Sequence, residues 1–467
     1  MAQDLMKKKY FGTDGIRGKV NGNVINAEFM FKFSQSVYCS LKYGESQNYS
    51  TDIKSIIIGK DTRFSGDMLE KALVSGFTAC GANVILVGIL PTPAISFLVK
   101  ELQADLGIMI TASHNPAEDN GIKIFDKSGF KICSDVENKI EQMIETDFYS
   151  NDSRAIKELK QDSEVYGRTI ILEDAQEKYI KHLKLSLPES FNMSGLKILL
   201  DCANGAAYKI APKIFADLGA EVIAIGVSPD GKNINKSCGV MDIEELRKKI
   251  LEIENQESVI GIAFDGDADR ITLVNEKGEI IDGDQIIAIL AYHLNRENKL
   301  NNNYVVGTEM SNLGLETYLN SIGIKLARAF VGDKNVASKM QEYDSNLGGE
   351  QSGHIIIGKN DATCDAIKTA LQLLARETRI LKKFDPVPQF LENIYLQNTD
   401  EIDYKAKLDN YIHNTNEEYN RLYSKNAKIL LRKSGTENLI RIMVESADIN
   451  LAKDIINSIK LEIQEIG

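Results

Sequence analysis

The sequence predicts an α/β fold divided among several domains, and three observations predict it. The chain has 467 residues, and at roughly 100–200 residues per domain that divides into about three or four. Hydrophobic residues make up 43% and charged residues 26%, with eight prolines and no low-complexity tract, which excludes a disordered or fibrous chain. Short β-branched apolar runs alternate with polar or Gly-containing loops and amphipathic stretches, the pattern of successive α/β units.

In order, Ser55-Ile-Ile-Ile-Gly59 reads as a strand that enters the loop Lys60-Asp-Thr-Arg63 and a helix from Asp67 to Cys80. Asn83–Gly88 is the next strand, and Leu106–Ile110 is another, leading into Thr111-Ala-Ser-His-Asn-Pro116. A second block pairs Leu196–Leu200, its loop Asp201–Gly205 and a helical run with the strand Glu221–Ile225. Val259–Phe264 leads into Asp265-Gly-Asp-Ala-Asp269, and Tyr304–Thr308 leads into a further loop. The recurrence predicts a distant structural repeat, although no clean sequence period accompanies it. The last block, with strands around Lys428–Leu431 and Leu439–Val444 and a helix from Asn450 to about Gln464, reads as a smaller α+β domain. Polar stretches at Ser150–Glu164 and Gln256–Ser258, and a hinge at Leu381–Pro386, divide the chain into 1–157, 158–257, 258–380 and 381–467.

The 55 Lys and Arg against 67 Asp and Glu give a formal charge of −12, a field that opposes nucleic acid. A small anion remains compatible, since a few basic side chains and backbone N–H groups suffice to hold one phosphate. The N-terminal residues lack the apolar region of a signal peptide, and the run Val84–Val99 is interrupted by Pro91 and Pro93, so no membrane span is expected. Six scattered cysteines without a C-x-x-C pair suit neither a disulfide scaffold nor zinc, and point to a reducing, cytoplasmic location.

Asp265, Asp267 and Asp269 alternate along an extended loop and project to one side. Three such charges repel unless a cation sits among them, and all-oxygen ligands select Mg²⁺ or a relative. Competing readings are an EF-hand, opposed by Arg270 where glycine is required, an aspartyl phosphatase with Asp265 as nucleophile, and a solvated acidic turn. Ser113 follows a buried-looking strand, where open α/β sheets place ligands; the bland reading of its hexapeptide is a turn. Arg432-Lys-Ser-Gly-Thr-Glu437, with Arg441 beyond it, suits a passive grip on phosphate, or is simply a hairpin turn. Gly348-Gly-Glu-Gln-Ser-Gly-His354 offers a carboxylate and a hydroxyl for sugar hydroxyls or an amine, or is only a Gly-rich loop. Phe11–Gly18 and Asp119–Lys123 each place one cation, Arg17 or Lys123, in a Gly-containing loop near the Ser113 block in sequence.

Taken together and in this order, these motifs resemble the α-D-phosphohexomutases over nearly the whole chain, from about Lys9 to Val444. Lys9–Gly18, Asp201–Ala206 and Pro229–Asn235 are most similar to the phosphoglucosamine mutase branch. The resemblance implies three related α/β domains and a C-terminal α+β domain around a central cleft. It implies interconversion of glucosamine 6-phosphate and glucosamine 1-phosphate for cell-wall amino sugars, through a phosphoserine and a bisphosphorylated sugar. A phosphomannomutase/phosphoglucomutase with the same chemistry is the alternative. Ser113 would carry the phosphoryl group and, with Asp265, Asp267 and Asp269, hold one Mg²⁺, after priming by phosphorylation or a sugar bisphosphate. Arg17, His114 and Lys123 would surround it, with Lys123 as acid/base. Glu350 and Ser352 would select the sugar, and Arg432, Ser434, Gly435, Thr436 and Arg441 would hold the distal phosphate. The expected partner is a small sugar phosphate, with no nucleic acid or membrane, and the chain is a monomer or a homodimer. Lys334 and Asn335 depart from the Arg-Tyr usual in that branch, Asn438 replaces a usual proline, and Thr363-Cys364-Asp365 replaces a more glycine-rich turn.

Overall fold

The strand-forming runs pair into four sheets. The computed structural model describes residues 8–42, 53–145, 166–253, 259–359, 361, 363–396, 402–423, 426–433 and 439–466. The first sheet has the order β1 (Ile16–Lys19), β5 (Asp119–Asp126), β4 (Leu106–Ile110), β2 (Ser55–Lys60), β3 (Asn83–Ile89), β6 (Thr169–Ile171). The second runs β11 (Ile280–Ile281), β10 (Ile271–Val274), β9 (Val259–Phe264), β7 (Lys197–Asp201), β8 (Glu221–Ile225). The third runs β13 (Lys325–Ala329), β12 (Tyr304–Thr308), β14 (Leu347–Gly349), β15 (Ile355–Ile357).

One four-strand unit recurs in all three. In β2–β5, in β7–β10 and in β12–β15, the first strand lies between the second and the third, all parallel, and the fourth returns antiparallel outside the third. The repeat expected from the sequence is thus one of topology. The third strands β4 and β9 are buried along their whole length, as strands covered on both sides must be, which is why they read as unbroken apolar runs. In each unit the loop between third and fourth strands leaves the carboxyl end of a central strand, where α/β sheets gather ligands.

This topology corrects two expected divisions. β9 pairs with β7 in the second sheet, and β10 and β11 extend it beyond β9, so the boundary at 257/258 would cut that sheet. β6 pairs with β3 in the first sheet, beyond the division at 157/158. The polar stretches Ser150–Glu164 and Gln256–Ser258 on which those divisions rested lie outside the described residues.

The fourth sheet is an antiparallel trio, β16 (Gln389–Tyr395), β18 (Leu439–Ser446), β17 (Ala427–Lys433), with the helices Ile402–Tyr423 and Ile449–Ile466. It has its own core, around Ile429, Ile442, Val444, Ile455 and Ile459, whereas a continuous core runs through the first three domains. No helix among the described residues is long and apolar enough to cross a membrane.

The third and fourth domains meet at the loop after β12. Glu445 Oε2 accepts the Leu313 amide at 2.8 Å, at the start of the helix Leu313–Ser321, where a carboxylate offsets both orphan N–H groups and the helix dipole. Lys428 Nζ donates to Ser311 O at 2.7 Å, and Asp284 Oδ2 accepts the Asn312 amide at 2.7 Å from the other side. Burial raises the Asp284 carboxyl to about 7 against the Asn312 amide, which favours its ionised form. A carboxyl with a raised folded-state pKa contributes stability that is fully present below its unfolded value and lost as pH rises to the folded one. Asp284→Asn, which mimics the neutral acid, is therefore expected to raise the thermal midpoint by a few degrees at pH 8, with the gain shrinking as pH falls from 7 toward 4; parallel melts of the two proteins across that range check it.

Candidate active site

The loops that follow β4 and β9 meet. Ser113 Oγ donates to Asp265 Oδ2 at 2.6 Å across 152 residues of sequence. The serine is fully buried, adopts the left-handed backbone conformation with φ 52°, and lies 3.4 Å through Oγ from His114 Nδ1. Gly266 makes the approach possible: a Cβ there would come within 2.6 Å of Ser113 O.

The conformation of the serine loop is imposed by Arg63. Its guanidinium is completely buried, with Nε on Asp61 Oδ2 at 2.9 Å. Nη1 donates to the carbonyls of Pro116 and, at 2.8 Å, Asp119. Nη2 donates to those of Ser113 at 3.0 Å and Asn115 at 2.8 Å, so every N–H of the fork is used on this loop or on Asp61. Asp61 Oδ2 also accepts the Thr111 hydroxyl at 2.7 Å, and Thr111 Oγ1 accepts the Ser113 amide at 2.9 Å. From the second domain, Asn235 Nδ2 donates to Ser113 O at 2.8 Å.

Asp265, Asp267 and Asp269 are buried, and one carboxylate oxygen from each lies within 4.8 Å of the others. At that spacing each like-charge pair costs about 3.5 kcal/mol at an effective dielectric near 20. Part of this is offset by Lys123, fully buried, with Nζ 2.8 Å from Asp267 Oδ2, 2.6 Å from Asp269 Oδ2 and 3.1 Å from Asp14 Oδ2. Burial opposes the Lys123 charge, but these three carboxylates hold its pKa well above the ordinary value. Asp269 is held well below the carboxylate range despite its burial, by Lys123 and His354. Asp265 is less well compensated, since burial and its two acidic neighbours push it up to about 8. Asp267 receives a hydrogen bond from Thr92 on Oδ2, while its buried Oδ1 has no partner among the described residues. Three oxygen donors with charge left uncompensated and one oxygen unbonded fit a hard divalent cation.

Arg17 and Lys123, expected in loops on the strength of their glycines, arrive instead on the neighbouring antiparallel strands β1 and β5. Arg17 is the cross-strand partner of Gly121, and Lys123, two residues on, points to the same face. A Cβ at Gly121 would meet Ile16 O at 2.5 Å and Arg17 Cγ at 3.0 Å, so the glycine admits the arginine side chain. Arg17 is bound to Asp14, and its buried Nε has no hydrogen-bond partner among the described residues. Burial, Arg270 and Arg17 lower His114 to about 4, which leaves a neutral imidazole beside the serine.

The loop after β14 closes the site. Glu350 Oε1 is 3.1 Å from His354 Nδ1, and His354 Nε2 is 2.9 Å from Asp269 Oδ1. Ser352 is exposed at the tip of the same turn. Arg432 and Arg441 are cross-strand partners on β17 and β18, partly buried, and Arg432 acts electrostatically on Glu309 of the third domain. Ser434, Gly435, Thr436 and Asn438 lie outside the described residues. The structure thus brings Ser113, His114, Arg17, Lys123, the three aspartates and Glu350 together, with Arg432 and Arg441 on the fourth domain. Strands β9 and β10 flank the acidic loop where an EF-hand would have helices.

Sequence reading alone does not single out Arg63, Asp61, Thr92 or Asp14, and it marks Arg270 only as the residue that opposes an EF-hand. The available signal was positional, since Asp61 and Arg63 sit just past β2 as Ser113 sits past β4. His354 stood within the Gly-rich motif without an assigned role. Arg63→Met leaves Asp61 buried and unpaired, which is expected to cost about 3–5 kcal/mol. Urea denaturation should show that loss, and Asp61→Asn added to it should recover part.

Family models described as Phosphoglucomutase/phosphomannomutase match four successive segments: alpha/beta/alpha domain I at residues 8–150, domain II at 177–278, domain III at 282–387 and the C-terminal domain at 393–461. Among curated relatives, the Phosphoglucosamine mutase of Zymomonas mobilis is 43% identical over 97% of this chain and 98% of its own. That of Bradyrhizobium sp. (strain ORS 278) is 42% identical with the same coverage. Among solved structures, a phosphoglucomutase/phosphomannomutase family protein from Burkholderia thailandensis superposes with a TM-score of 0.76 at 20% identity, covering 97% of both chains. The N-acetylphosphoglucosamine mutase of Aspergillus fumigatus, in complex with GlcNAc-6P and magnesium, gives 0.60 at 17% identity, covering 100% of this chain and 97% of that one.

Proposed function

The chain belongs to the phosphoglucomutase/phosphomannomutase family, and from that premise we propose that it interconverts glucosamine 6-phosphate and glucosamine 1-phosphate through a phosphoserine at Ser113. The observation that carries the reading is the 2.6 Å contact between Ser113 Oγ and Asp265, which sets a hydroxyl beside a buried acidic triplet. In each half-reaction one P–O bond replaces another: the phosphoryl group leaves Ser113 Oγ for a sugar hydroxyl, then returns from the other end of the bisphosphorylated sugar. The hydroxyl gives up a proton as the serine oxygen regains one; Lys123, a buried ammonium beside the acidic triplet, gives its own proton to the departing oxygen and takes the hydroxyl's proton in return.

Asp265, Asp267 and Asp269, with the oxygen of Ser113, would hold Mg²⁺, which when bound neutralises the negative charge of the phosphoryl group. Arg17, with its unbonded Nε, and His114 border the same space and bind and orient the phosphoryl oxygens. Glu350, fixed by His354, faces the sugar, and the Arg432–Arg441 region of the fourth domain grips the phosphate that is not reacting. A buried serine also keeps the phosphoryl group from water, so that transfer outruns hydrolysis.

Peptide mass spectrometry of the purified protein is expected to find one acid-stable phosphate on the Thr111–Pro116 peptide, and Ser113→Ala to abolish turnover. A hydroxylamine-labile phosphate on Asp265 would instead indicate an acyl-phosphate enzyme. In side-by-side assays glucosamine 6-phosphate should outcompete mannose 1-phosphate; the reverse preference would overturn the choice of sugar.

Asp267→Asn removes one carboxylate of the triplet and is expected to lower turnover about 10²–10³-fold, the size of losing one preorganised electrostatic contact. Its weakened Mg²⁺ dependence, measured by titrating the metal back after chelation, checks the assignment.

A further inference from the structure

Polar contacts form a closed circuit through the first three domains. Lys123 Nζ lies 2.6 Å from Asp269 Oδ2, and Asp269 Oδ1 lies 2.9 Å from His354 Nε2. His354 Nδ1 is 3.1 Å from Glu350 Oε1, and Glu350 Oε2 accepts the Gly332 amide at 3.3 Å. The next residue, Asp333, places Oδ2 2.5 Å from Lys131 Nζ. Lys131 also binds Asp14 Oδ1, and Asp14 Oδ2 returns to Lys123 at 3.1 Å. One arm of the circuit passes through the acidic triplet. The other passes through Lys131, which touches neither the triplet nor Ser113 and is nearly fully buried, its side chain 7% exposed.

The loop carrying Gly332 and Asp333 is the one whose Lys334 and Asn335 depart from the related branch. Both departures serve to hold that loop. Lys334 Nζ pairs with Glu137 Oε1 of the first domain at 2.6 Å, and Asn335 Nδ2 donates back to Val331 O at 2.9 Å. The first domain thus grips the start of the helix Asp333–Tyr343 through Lys131 and, in parallel, through Glu137.

We propose that Lys131 is a positioning residue for sugar discrimination: by clamping Asp333 to Asp14 it fixes the Gly332 amide against Glu350 and so aims the Glu350 carboxylate at the sugar. Glu350 has two oxygens to orient, and His354 holds only one. The Gly332 amide holds the second, and an amide is only as fixed as the loop that carries it. With Lys131 in place the carboxylate keeps one orientation toward the amino or hydroxyl substituent it meets. Without it, Asp333 loses its partner, the loop shifts away from the first domain, and Glu350 gains freedom to accept either substituent.

This inference rests on the proposed activity for one readout and is independent of it for the other. In full-length protein, Lys131→Met is expected to lower the ratio of kcat/KM for glucosamine 6-phosphate to that for glucose 6-phosphate about tenfold, the size of coupling between contacting charged residues. Lys131→Arg should restore most of the ratio, since a guanidinium can span both carboxylates. Asp333→Asn, which keeps an acceptor for the Lys334 amide but loses the charge, should behave like Lys131→Met and carries the test if that variant fails to fold. An equal loss on both sugars overturns the proposal. Separately, amide exchange in the peptide covering Gly332–Asn335 should speed up in Lys131→Met, and unchanged exchange also overturns it. A wild-type protein inactive on both sugars would defeat the proposed activity, while the exchange measurement still decides the role of Lys131.

Discussion

Three carboxylates buried within 4.8 Å of one another are the constraint that the surrounding structure answers. Left alone they would repel by several kcal/mol per pair, and the chain surrounds them with groups that reduce that cost. Lys123 inserts its ammonium between two of them, His354 sits against Asp269, Thr92 donates to Asp267, and Ser113 donates to Asp265. The compensation is uneven. Asp269 is held strongly ionised while Asp265 is pushed toward its neutral form, an imbalance that a cation among the three would relieve.

The topology supplies the means of assembling such a cluster. Each of the first three sheets repeats a four-strand unit whose third strand ends in the site and whose fourth strand leads the chain away again. Because the third strands are central and parallel, their carboxyl ends point out of a rigid, fully covered layer, so the loops they carry start from fixed positions. The three loops differ in chemistry: a serine with its histidine, a run of alternating aspartates, and a glutamate between glycines. One repeated scaffold thereby delivers a serine, an acidic triplet and a glutamate to a common centre.

The fourth domain obeys another logic. Its antiparallel sheet and two helices enclose a separate core, and it meets the third domain chiefly through polar contacts at the loop Thr308–Leu313. Interfaces of that kind constrain a domain less than a shared apolar core does. The first three domains, by contrast, share one continuous core as well as the circuit of charges through Lys131.

Most of the strands around the site were legible in the residues, because burial on both faces writes an unbroken apolar run that local reading detects: β2, β4 and β9 are examples. Edge strands such as β13 and β16 carried no such mark, since a half-exposed strand mixes polar and apolar residues. The domain limits were misplaced at 157/158 and 257/258 because polar composition marks exposed segments, whereas sheet membership is decided by pairing partners far away in sequence. The sequence by itself determined which chemistry is possible here: alternating aspartates, a serine after an apolar strand and the cations Arg17 and Lys123 keep their character in any fold. Only the tertiary structure decided which of them share a space, that Arg63 shapes the serine loop, and that Lys131 and Lys334 tie two domains together. A long side chain reaches its partner through three dimensions, and spacing along the chain says nothing of that distance.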